Sequence, residues 1–324
     1  MKTALVCGAG GFIGHHLVER LKQESYHVVG VDLKYPDFSM SQANSFLIRD
    51  LRSASDVDFV FSNYWSQIDE VYQMAADLGG AGYIFSGEHD ADIIHNSSLI
   101  NINVAKRAVQ KKVGKLFFPS SCCVYPKLSE ADFNKLNYIE DSAYPAQPDS
   151  EYGWEKLFSE RLYLAYKRNY GLDVRIARFF SVFGTECAWK GGKEQAPAAM
   201  CRQVAEAENG GVINIWGDGE QTRSYLYIDE CLDGIRLLMG SKQAFAPLSI
   251  GTEEVVSINQ LAKMIIEISG KKLTLNHIKG PSGIQKTNFD NKLLYEKLNW
   301  KPNGSLQKGL EHTYTWIYDQ VQRK

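Results

Sequence analysis

The sequence predicts an α/β protein with a doubly wound parallel sheet and a smaller C-terminal lobe. In the first half of the 324 residues, short apolar runs alternate with helical patterns, as in a parallel sheet covered by helices on both faces. Beyond about residue 180 the pattern becomes irregular, with glycine- and tryptophan-containing loops. We expect a sheet domain over residues 1–178, rejoined by segments near 223–250, and a substrate-binding lobe over residues 179–324 at the carboxyl edge of the sheet.

The expected strands are short apolar runs bounded by polar or glycine-containing turns. Continuous runs of this kind are typical of strands that are buried on both faces. In chain order they are Ala4–Cys7, His27–Val31, Ser45–Ile48, Glu70–Met74, Lys115–Pro119 and Val174–Phe179.

The expected helices are longer segments in which apolar residues recur every three or four positions. That period is the one at which side chains share a helix face. In chain order they are Phe12–Gln23, Ser97–Lys111, Glu151–Asn169, Ala198–Glu208, Ile258–Ile268 and Leu310–Gln322.

The composition argues against several functional classes. The chain has 36 Lys and Arg residues against 38 Asp and Glu residues, and this balance argues against a nucleic-acid-binding protein. No run approaches the roughly 18–20 apolar residues of a membrane span, and the amino terminus lacks the pattern of a signal peptide. The 6 cysteines do not suggest a disulfide framework. We expect a cytoplasmic protein that binds neither nucleic acid nor membranes.

A glycine-rich turn joins the first predicted strand to the first predicted helix. Gly8, Gly11 and Gly14 have the GxxGxxG spacing, and Phe12 and Ile13 open the helix. Glycines let the backbone turn tightly and approach a pyrophosphate at the helix amino terminus, although alone they also fit an ordinary tight turn. Their place between a strand and a helix favours a Rossmann-type dinucleotide site.

Acidic residues follow at positions that suit the adenosine half of a dinucleotide. Asp32 ends the second predicted strand, 18 residues after Gly14, where a carboxylate accepts hydrogen bonds from ribose hydroxyls. Its charge would repel a 2′-phosphate and so favours NAD over NADP, although Lys34 nearby is a counterargument. Asp50 and Leu51 follow the third predicted strand, and Asp50 is interpreted either as a contact to adenine or as a helix cap.

A tyrosine and a lysine form the candidate chemical site. Tyr152 and Lys156 lie four residues apart on a predicted helix and therefore share a face. A lysine ammonium stabilises the phenolate, so that the tyrosine can act as a base near neutral pH. The segment Ser120–Cys123 follows the strand Lys115–Pro119 and brings hydroxyls and thiols to the same sheet edge.

Further stretches match a known family together with these motifs. They are Ala75–Gly82, Ser120–Pro126, Trp189–Ala199, Trp216–Ser224 and Asp229–Cys231. On these residues, nearly the whole chain resembles the extended short-chain dehydrogenase/reductase family of nucleotide-sugar epimerases and dehydratases. Within that family the resemblance is greatest to the members that epimerise GDP-mannose at C3 and C5.

The resemblance implies an NAD-dependent isomerase that works through a transient 4-keto sugar. It implies that Tyr152 and Lys156 serve oxidation at C4 and contact NAD, as does Ala75, and that Ser121 and Cys123 complete the catalytic group. A C4 ketone acidifies the protons on C3 and C5, and a thiol with a pKa of about 8.5 is suited to exchanging one of them. The hydride then returns to the sugar, so NAD is not consumed.

The implied substrate is a nucleotide-diphosphate sugar, with a GDP-sugar favoured, and the implied assembly is a homodimer. The residues implied to bind the substrate are Gly80, Gly82, Ser121, Cys123, Lys190, Lys193, Gln195, Ala196, Trp216, Gln221, Arg223 and Lys286. Arg223 is expected to clamp the pyrophosphate, with a surface ion pair as the alternative. Trp216 either stacks near the nucleotide or fills the core of the lobe. No metal site is expected, because the cysteines and histidines lack metal-ligand spacing.

Three positions depart from the family pattern. Gln195 stands where the family has its second acid/base, a lysine, and an amide cannot exchange a proton at neutral pH; Lys193 either fills that space or is solvated. Ser181 replaces an asparagine that helps to hold the substrate, and Lys286 replaces a phosphate-binding arginine.

Two enzymatic functions therefore remain open from the sequence. One is epimerisation at C3, C5 or both, and the other is C4 oxidation or reduction without double epimerisation. Dehydration is disfavoured because Cys122 and Cys123 stand where dehydratases carry two acidic residues. A non-catalytic NAD-binding protein is disfavoured by the intact pair of Tyr152 and Lys156.

Overall fold

The computed structural model describes residues 1–63, 68–126, 139–243, 247–280 and 291–323. The strands are β1 (Thr3–Cys7), β2 (His27–Asp32), β3 (Ser45–Ile48), β4 (Glu70–Gln73), β5 (Lys115–Ser121), β6 (Val174–Phe179), β7 (Val182–Phe183), β8 (Val212–Trp216), β9 (Thr222–Ser224), β10 (Leu226–Tyr227), β11 (Leu248–Ile250), β12 (Val255–Ser257) and β13 (Thr274–Ile278). The helices are α1 (Phe12–Gln23), α2 (Ala54–Asn63), α3 (Ala81–Ile84), α4 (Asp90–Gln110), α5 (Glu151–Tyr170), α6 (Ala196–Glu206), α7 (Ile228–Gly240), α8 (Ile258–Ser269), α9 (Lys292–Leu298) and α10 (Leu306–Gln322).

A seven-stranded parallel sheet forms the centre of the protein, as the sequence predicts. Its order is β11-β6-β5-β4-β1-β2-β3, and every neighbouring pair is parallel. The chain builds outwards from β1 in one direction and from β4 in the other. The point at which the order reverses therefore lies between β1 and β4, and open sheets of this kind bind ligands at the carboxyl side of that point.

Helices cover both faces of the sheet and bury two apolar cores. On one face, apolar residues of α1 and α7 pack against the strands. On the other face, residues of α2, α4 and α5 do the same. Because both faces are covered, strands such as β1 and β2 consist mostly of apolar residues, whereas β4 and β6 also bury the charged residues Glu70 and Arg178.

The second half of the chain forms a lobe with a core of its own. That core joins residues of α6, α8 and α10 to the short strand β8. Three two-stranded sheets belong to this half, namely β10–β7, β12–β9 and β13–β8. Between the lobe segments, the chain returns to the central sheet through α7 and β11.

Several helix boundaries differ from the predicted ones. Helix α4 begins at Asp90 rather than at Ser97, because its first turn is polar and carries Asp90 and Asp92, which suit a helix amino terminus. Helix α10 begins at Leu306, not at Leu310. No helix among the described residues is long and apolar enough to cross a membrane.

Candidate active site

A cavity of about 750 Å³ lies at the carboxyl edge of the sheet and is also lined by residues of the lobe. The predicted site residues that line it are Gly8, Gly11, Phe12, Ile13, Gly14, Asp32, Asp50, Leu51, Ala75, Gly80, Ser121, Cys123, Tyr152, Lys156, Lys193, Gln195 and Arg223. The fold therefore brings the glycine turn, the tyrosine–lysine pair and the thiols into one space.

The glycine turn leaves no room for side chains. Gly8 has φ +79°, and a Cβ there would lie 2.7 Å from the backbone nitrogen of Ala75 after β4. A Cβ at Gly14 would lie 2.0 Å from the carbonyl oxygen of Gly8. The turn ends at Gly11, the N-cap of α1, so the first N–H groups of that helix have no acceptors within it. These residues fit a dinucleotide, whose pyrophosphate needs a close backbone and unpaired N–H groups.

Asp32 links the glycine turn to the end of β2. Its carboxylate accepts hydrogen bonds from the backbone N–H groups of Gly10, at 2.9 Å, and of Leu33, at 2.6 Å. The nearby Lys34 forms an ion pair with Asp37. The positive charge that argued against NAD is therefore partnered by a carboxylate.

Asp50 contacts the turn that precedes α2. It accepts hydrogen bonds from the backbone N–H of Arg52, at 2.9 Å, and from its guanidinium, at 2.7 Å. The hydrogen bonds from Arg52 lower the pKa of Asp50. Asp50 thus stabilises the turn, while Leu51 beside it is buried.

Tyr152 and Lys156 lie on the first turns of α5, against the end of β5. Ser150 is the N-cap of α5, and its hydroxyl accepts a hydrogen bond from the N–H of Gly153 at 3.2 Å. The ammonium nitrogen of Lys156 lies 5.6 Å from the ring centroid of Tyr152 and donates to the carbonyl oxygen of Pro119 at 3.2 Å. Burial raises the pKa of Tyr152 well above its usual 10.0 and lowers that of Lys156 from its usual 10.5.

Ser121, Cys122 and Cys123 form the turn that follows β5. The Ser121 hydroxyl accepts a hydrogen bond from the N–H of Cys123 at 3.1 Å, and the two cysteines are adjacent in this turn. Hydrogen bonding between their thiols lowers the pKa of Cys123 and raises that of Cys122. The charge of Arg223 favours both thiolates. Cys123 is thus the thiol of the pair that ionises more readily.

Helix α5 packs directly on this turn. A Cβ on Gly153 would lie 2.2 Å from the carbonyl oxygen of Cys123. The glycine that follows Tyr152 therefore allows the helix to bring the tyrosine close to the thiol.

Lys193 lies beside acidic and aromatic groups of the loop after β4. Its ammonium nitrogen is 3.5 Å from the carboxylate of Asp77 and 4.1 Å from the ring centroid of Tyr83. The Tyr83 hydroxyl donates to Asp77 at 2.9 Å. The N–H of Gly80 donates to the carbonyl oxygen of Lys193 at 3.0 Å, which joins the two loops. Sequence spacing could not reveal Asp77 and Tyr83 as neighbours of Lys193, because the contact joins distant loops.

Several predicted substrate residues do not line the cavity. They are Gly82, Lys190, Ala196, Trp216 and Gln221. Trp216 is close to Gly82, since a Cβ on Gly82 would lie 3.6 Å from the indole ring. The carbonyl oxygen of Trp216 accepts a hydrogen bond from the side-chain amide of Gln221 at 3.1 Å. The ring of Trp216 is 45% exposed, which argues against the alternative that it fills the core of the lobe. Lys286 lies outside the described residues.

The sequence matches a family model and several curated proteins over most of its length. Residues 4–251 match the family model described as the NAD dependent epimerase/dehydratase family. The chain is 38% identical to the GDP-mannose 3,5-epimerase of Arabidopsis thaliana over 322 residues, which are 98% of this chain and 83% of that protein.

Solved structures share the fold over nearly the whole chain. The UDP-glucuronic acid 4-epimerase of Bacillus cereus, solved with UDP-glucuronic acid and NAD, has a TM-score of 0.83 and 29% identity, and the match covers 98% of this chain and 99% of that one. The UDP-glucose 4-epimerase of Thermotoga maritima has a TM-score of 0.86, with the same coverage and 24% identity, and shows the fold alone.

Proposed function

Because the chain belongs to the NAD dependent epimerase/dehydratase family, we propose that it epimerises a nucleotide-diphosphate sugar through a transient 4-keto intermediate. The family match confirms that the protein is an enzyme of the predicted family and that its cofactor is NAD. The proposed exchange takes place at C3, at C5 or at both. The observation that carries the proposal is the meeting of Tyr152, Lys156 and Cys123 with the glycine turn in one cavity.

The first proposed step is oxidation at C4 of the sugar. Bound NAD supplies the acceptor for the C4 hydride. Tyr152 removes the proton of the C4 hydroxyl. Burial raises the pKa of Tyr152, and the ammonium of Lys156 stabilises the phenolate against that effect. Both side chains are buried, so this electrostatic effect is stronger than it would be in water.

The second proposed step is proton exchange next to the new ketone. The ketone delocalises the negative charge that remains when a C3 or C5 proton leaves. We assign this proton to the thiol of Cys123, because hydrogen bonding with Cys122 lowers the pKa of Cys123. Ser121 holds Cys123 in place by accepting a hydrogen bond from its N–H. Return of the hydride to C4 then completes the reaction without loss of NAD.

A GDP-sugar is the proposed substrate. The support is the 38% identity to a GDP-mannose 3,5-epimerase over 98% of this chain. Arg223 lines the cavity, and its charge acts on both thiols of the site. We assign it to the substrate pyrophosphate, which an arginine can bind with two parallel hydrogen bonds.

Position 195 bears on how many centres the enzyme inverts. Gln195 lines the cavity but has no titratable group, while Lys193 lines the same cavity in contact with Asp77. Lys193 is thus a candidate for the second proton carrier. The alternative function, C4 oxidation or reduction without double epimerisation, follows if neither residue carries a proton.

We propose that the enzyme is a homodimer. Helices α4 and α5 pack side by side and leave large apolar side chains exposed. They are Ile94 (36% exposed), Ile102 (38%), Trp154 (44%) and Phe158 (47%). Pairing with the same two helices of a second copy would bury these side chains in a four-helix bundle.

Incubation with GDP-, UDP-, CDP- and dTDP-sugars in deuterated water tests the proposed function. We expect deuterium at C3 or C5 of a GDP-sugar, located by NMR spectroscopy. The matched control is Tyr152→Phe, which forms no ketone and should therefore incorporate none. Reduction of NAD without deuterium in any sugar would support the alternative function instead.

A further inference from the structure

A buried carboxylate lies directly behind the tyrosine–lysine pair. Glu155 on α5 is 2% exposed. Its Oε1 accepts hydrogen bonds from the side-chain amide of Asn101 at 3.0 Å and from the hydroxyl of Ser159 at 2.6 Å. Its Oε2 is buried without a hydrogen-bond donor among the described residues and lies 4.0 Å from the ammonium nitrogen of Lys156.

The charges around Lys156 identify Glu155 as its counter-ion. Glu160, the other nearby carboxylate, is bound by the guanidinium of Arg178 through hydrogen bonds of 2.8 and 2.7 Å. The negative charge of Glu160 is thus already balanced, whereas Lys156 is the one cation paired with Glu155 in the described part of the chain. These four buried side chains are electrically neutral as a group only while Lys156 is protonated.

Among the described residues, the other elements around Lys156 contribute no further carboxylate within ion-pair distance of its ammonium. Strand β5 presents the carbonyl oxygen of Pro119 and, at 4.9 Å from the ammonium, the ring of Phe118. Helix α4 presents the neutral Asn101, which also accepts a hydrogen bond from Gln73 of β4 at 2.8 Å. Within the part of the chain that the structure describes, the other titratable groups near this pair are the phenols of Tyr152 and Tyr163 and the thiol of Cys123.

We propose that Glu155 is a positioning residue that acts through Lys156, by holding its ammonium charged and in place next to Tyr152. The proposal rests on the proposed function, in which Lys156 stabilises the tyrosine phenolate. Burial lowers the pKa of Lys156, and the charge of Glu155 opposes that effect more than those of Glu160 and Cys123 do. Without the charge of Glu155, the buried ammonium of Lys156 would lose its proton at a lower pH.

Replacement of Glu155 should move the whole pH profile of C4 oxidation. The charge of Glu155 raises the pKa of Tyr152 as well as that of Lys156. Glu155→Gln keeps the shape of the side chain but removes the charge. Both limbs of the profile should therefore shift to lower pH, the alkaline limb by about one unit. If Glu155 had only a structural role, Glu155→Gln would lower the rate of C4 oxidation without shifting either limb of its pH profile.

The control variant is Ser159→Ala. It removes one hydrogen bond to Glu155 but leaves all four charges in place. Both limbs of the pH profile of this variant should therefore stay at the wild-type pH. The profile is measured with GDP-mannose as the probe, from the absorbance of the reduced cofactor. Limbs that stay in place in Glu155→Gln would overturn the proposal.

A second experiment needs no sugar and therefore remains decisive if the proposed function is wrong. Thermal unfolding of the NAD-loaded protein is compared for wild type, Glu155→Gln, Lys156→Met and the double variant. Lys156→Met alone leaves Glu155 buried without its partner, and removal of one partner of a buried pair is strongly destabilising. We expect the double variant to melt several degrees above Lys156→Met. If the double variant instead loses as much melting temperature as the two single variants together, the proposal is wrong.

Discussion

Replacement of Gly8 by alanine should weaken NAD binding in a protein that still folds. The new Cβ would lie 2.7 Å from the backbone nitrogen and 2.9 Å from the Cα of Ala75. Both atoms belong to the backbone, so no flexible side chain can move aside. In addition, φ is +79° at Gly8, and an L-residue with left-handed backbone costs roughly 1–2 kcal/mol.

The matched control is Gly171→Ala. Gly171 ends α5 with φ +70°, and a Cβ there meets no atom within 4 Å. It therefore carries the backbone cost of about 1–2 kcal/mol without the clash. We expect Gly171→Ala to lose about this much free energy of unfolding in urea titrations, and Gly8→Ala to lose more because of its clash with the backbone of Ala75. Of the two, Gly8→Ala must also displace the backbone that we assign to the cofactor pyrophosphate.

The assay is NAD affinity by calorimetry at a temperature where both variants are folded. A clash that shifts the glycine turn should weaken binding at least about tenfold, which corresponds to about 1.4 kcal/mol. Gly171→Ala should bind NAD as the wild type does. Wild-type affinity in Gly8→Ala would refute the assignment of this turn to the cofactor.

Three further changes test other parts of the account. Gln195→Lys should add deuterium exchange at a second ring carbon; if Lys193 already serves there, Lys193→Ala removes that exchange and Gln195→Lys changes little. Phe158→Glu should convert the proposed dimer into a monomer in sedimentation velocity, because it places a charge on an exposed apolar position of α5. Arg236→Met should cost up to about 3 kcal/mol of unfolding free energy at neutral pH, because it leaves the buried Glu70 with only the exposed Lys2 as a cation among the described residues. Burial raises the pKa of Glu70, but a tyrosine hydrogen bond and Arg236 bring it below 4.5. The stabilisation is therefore present above pH 4.5, and the difference from wild type should narrow as the pH falls through the lowered pKa.

Local signals in the sequence predicted the first strand, the glycine turn and the first helix. Helix α1 spans the predicted Phe12–Gln23, because glycines fix its start and its apolar period is regular. The strand β11 was not predicted as an element. It has three residues, too few to show a period, and only its pairing with β6 makes it a strand.

Local sequence signals also predicted part of the chemical site. Tyr152 and Lys156 share a helix face through their spacing, so their proximity follows from local geometry. The contact of Lys193 with Asp77 joins loops more than a hundred residues apart, and no local pattern encodes it. Glu155 stands between the two motif residues in the sequence, but its burial depends on the packing of α4 against α5.

The most direct test of the central claim compares Cys123→Ala with Cys122→Ala. Both variants lose one thiol from the same turn, but only Cys123 is the proposed proton carrier. With a GDP-sugar in deuterated water, Cys123→Ala should slow exchange at the sugar carbon by about 10²–10⁴-fold. C4 oxidation, followed by the absorbance of the reduced cofactor, should persist because Tyr152 and Lys156 are unchanged.

Cys122→Ala should retain exchange at a lower rate, since it removes only the hydrogen bond that lowers the pKa of Cys123. If Cys123→Ala instead keeps full exchange and product formation, Cys123 is a packed thiol and the proposed mechanism is wrong at its central residue.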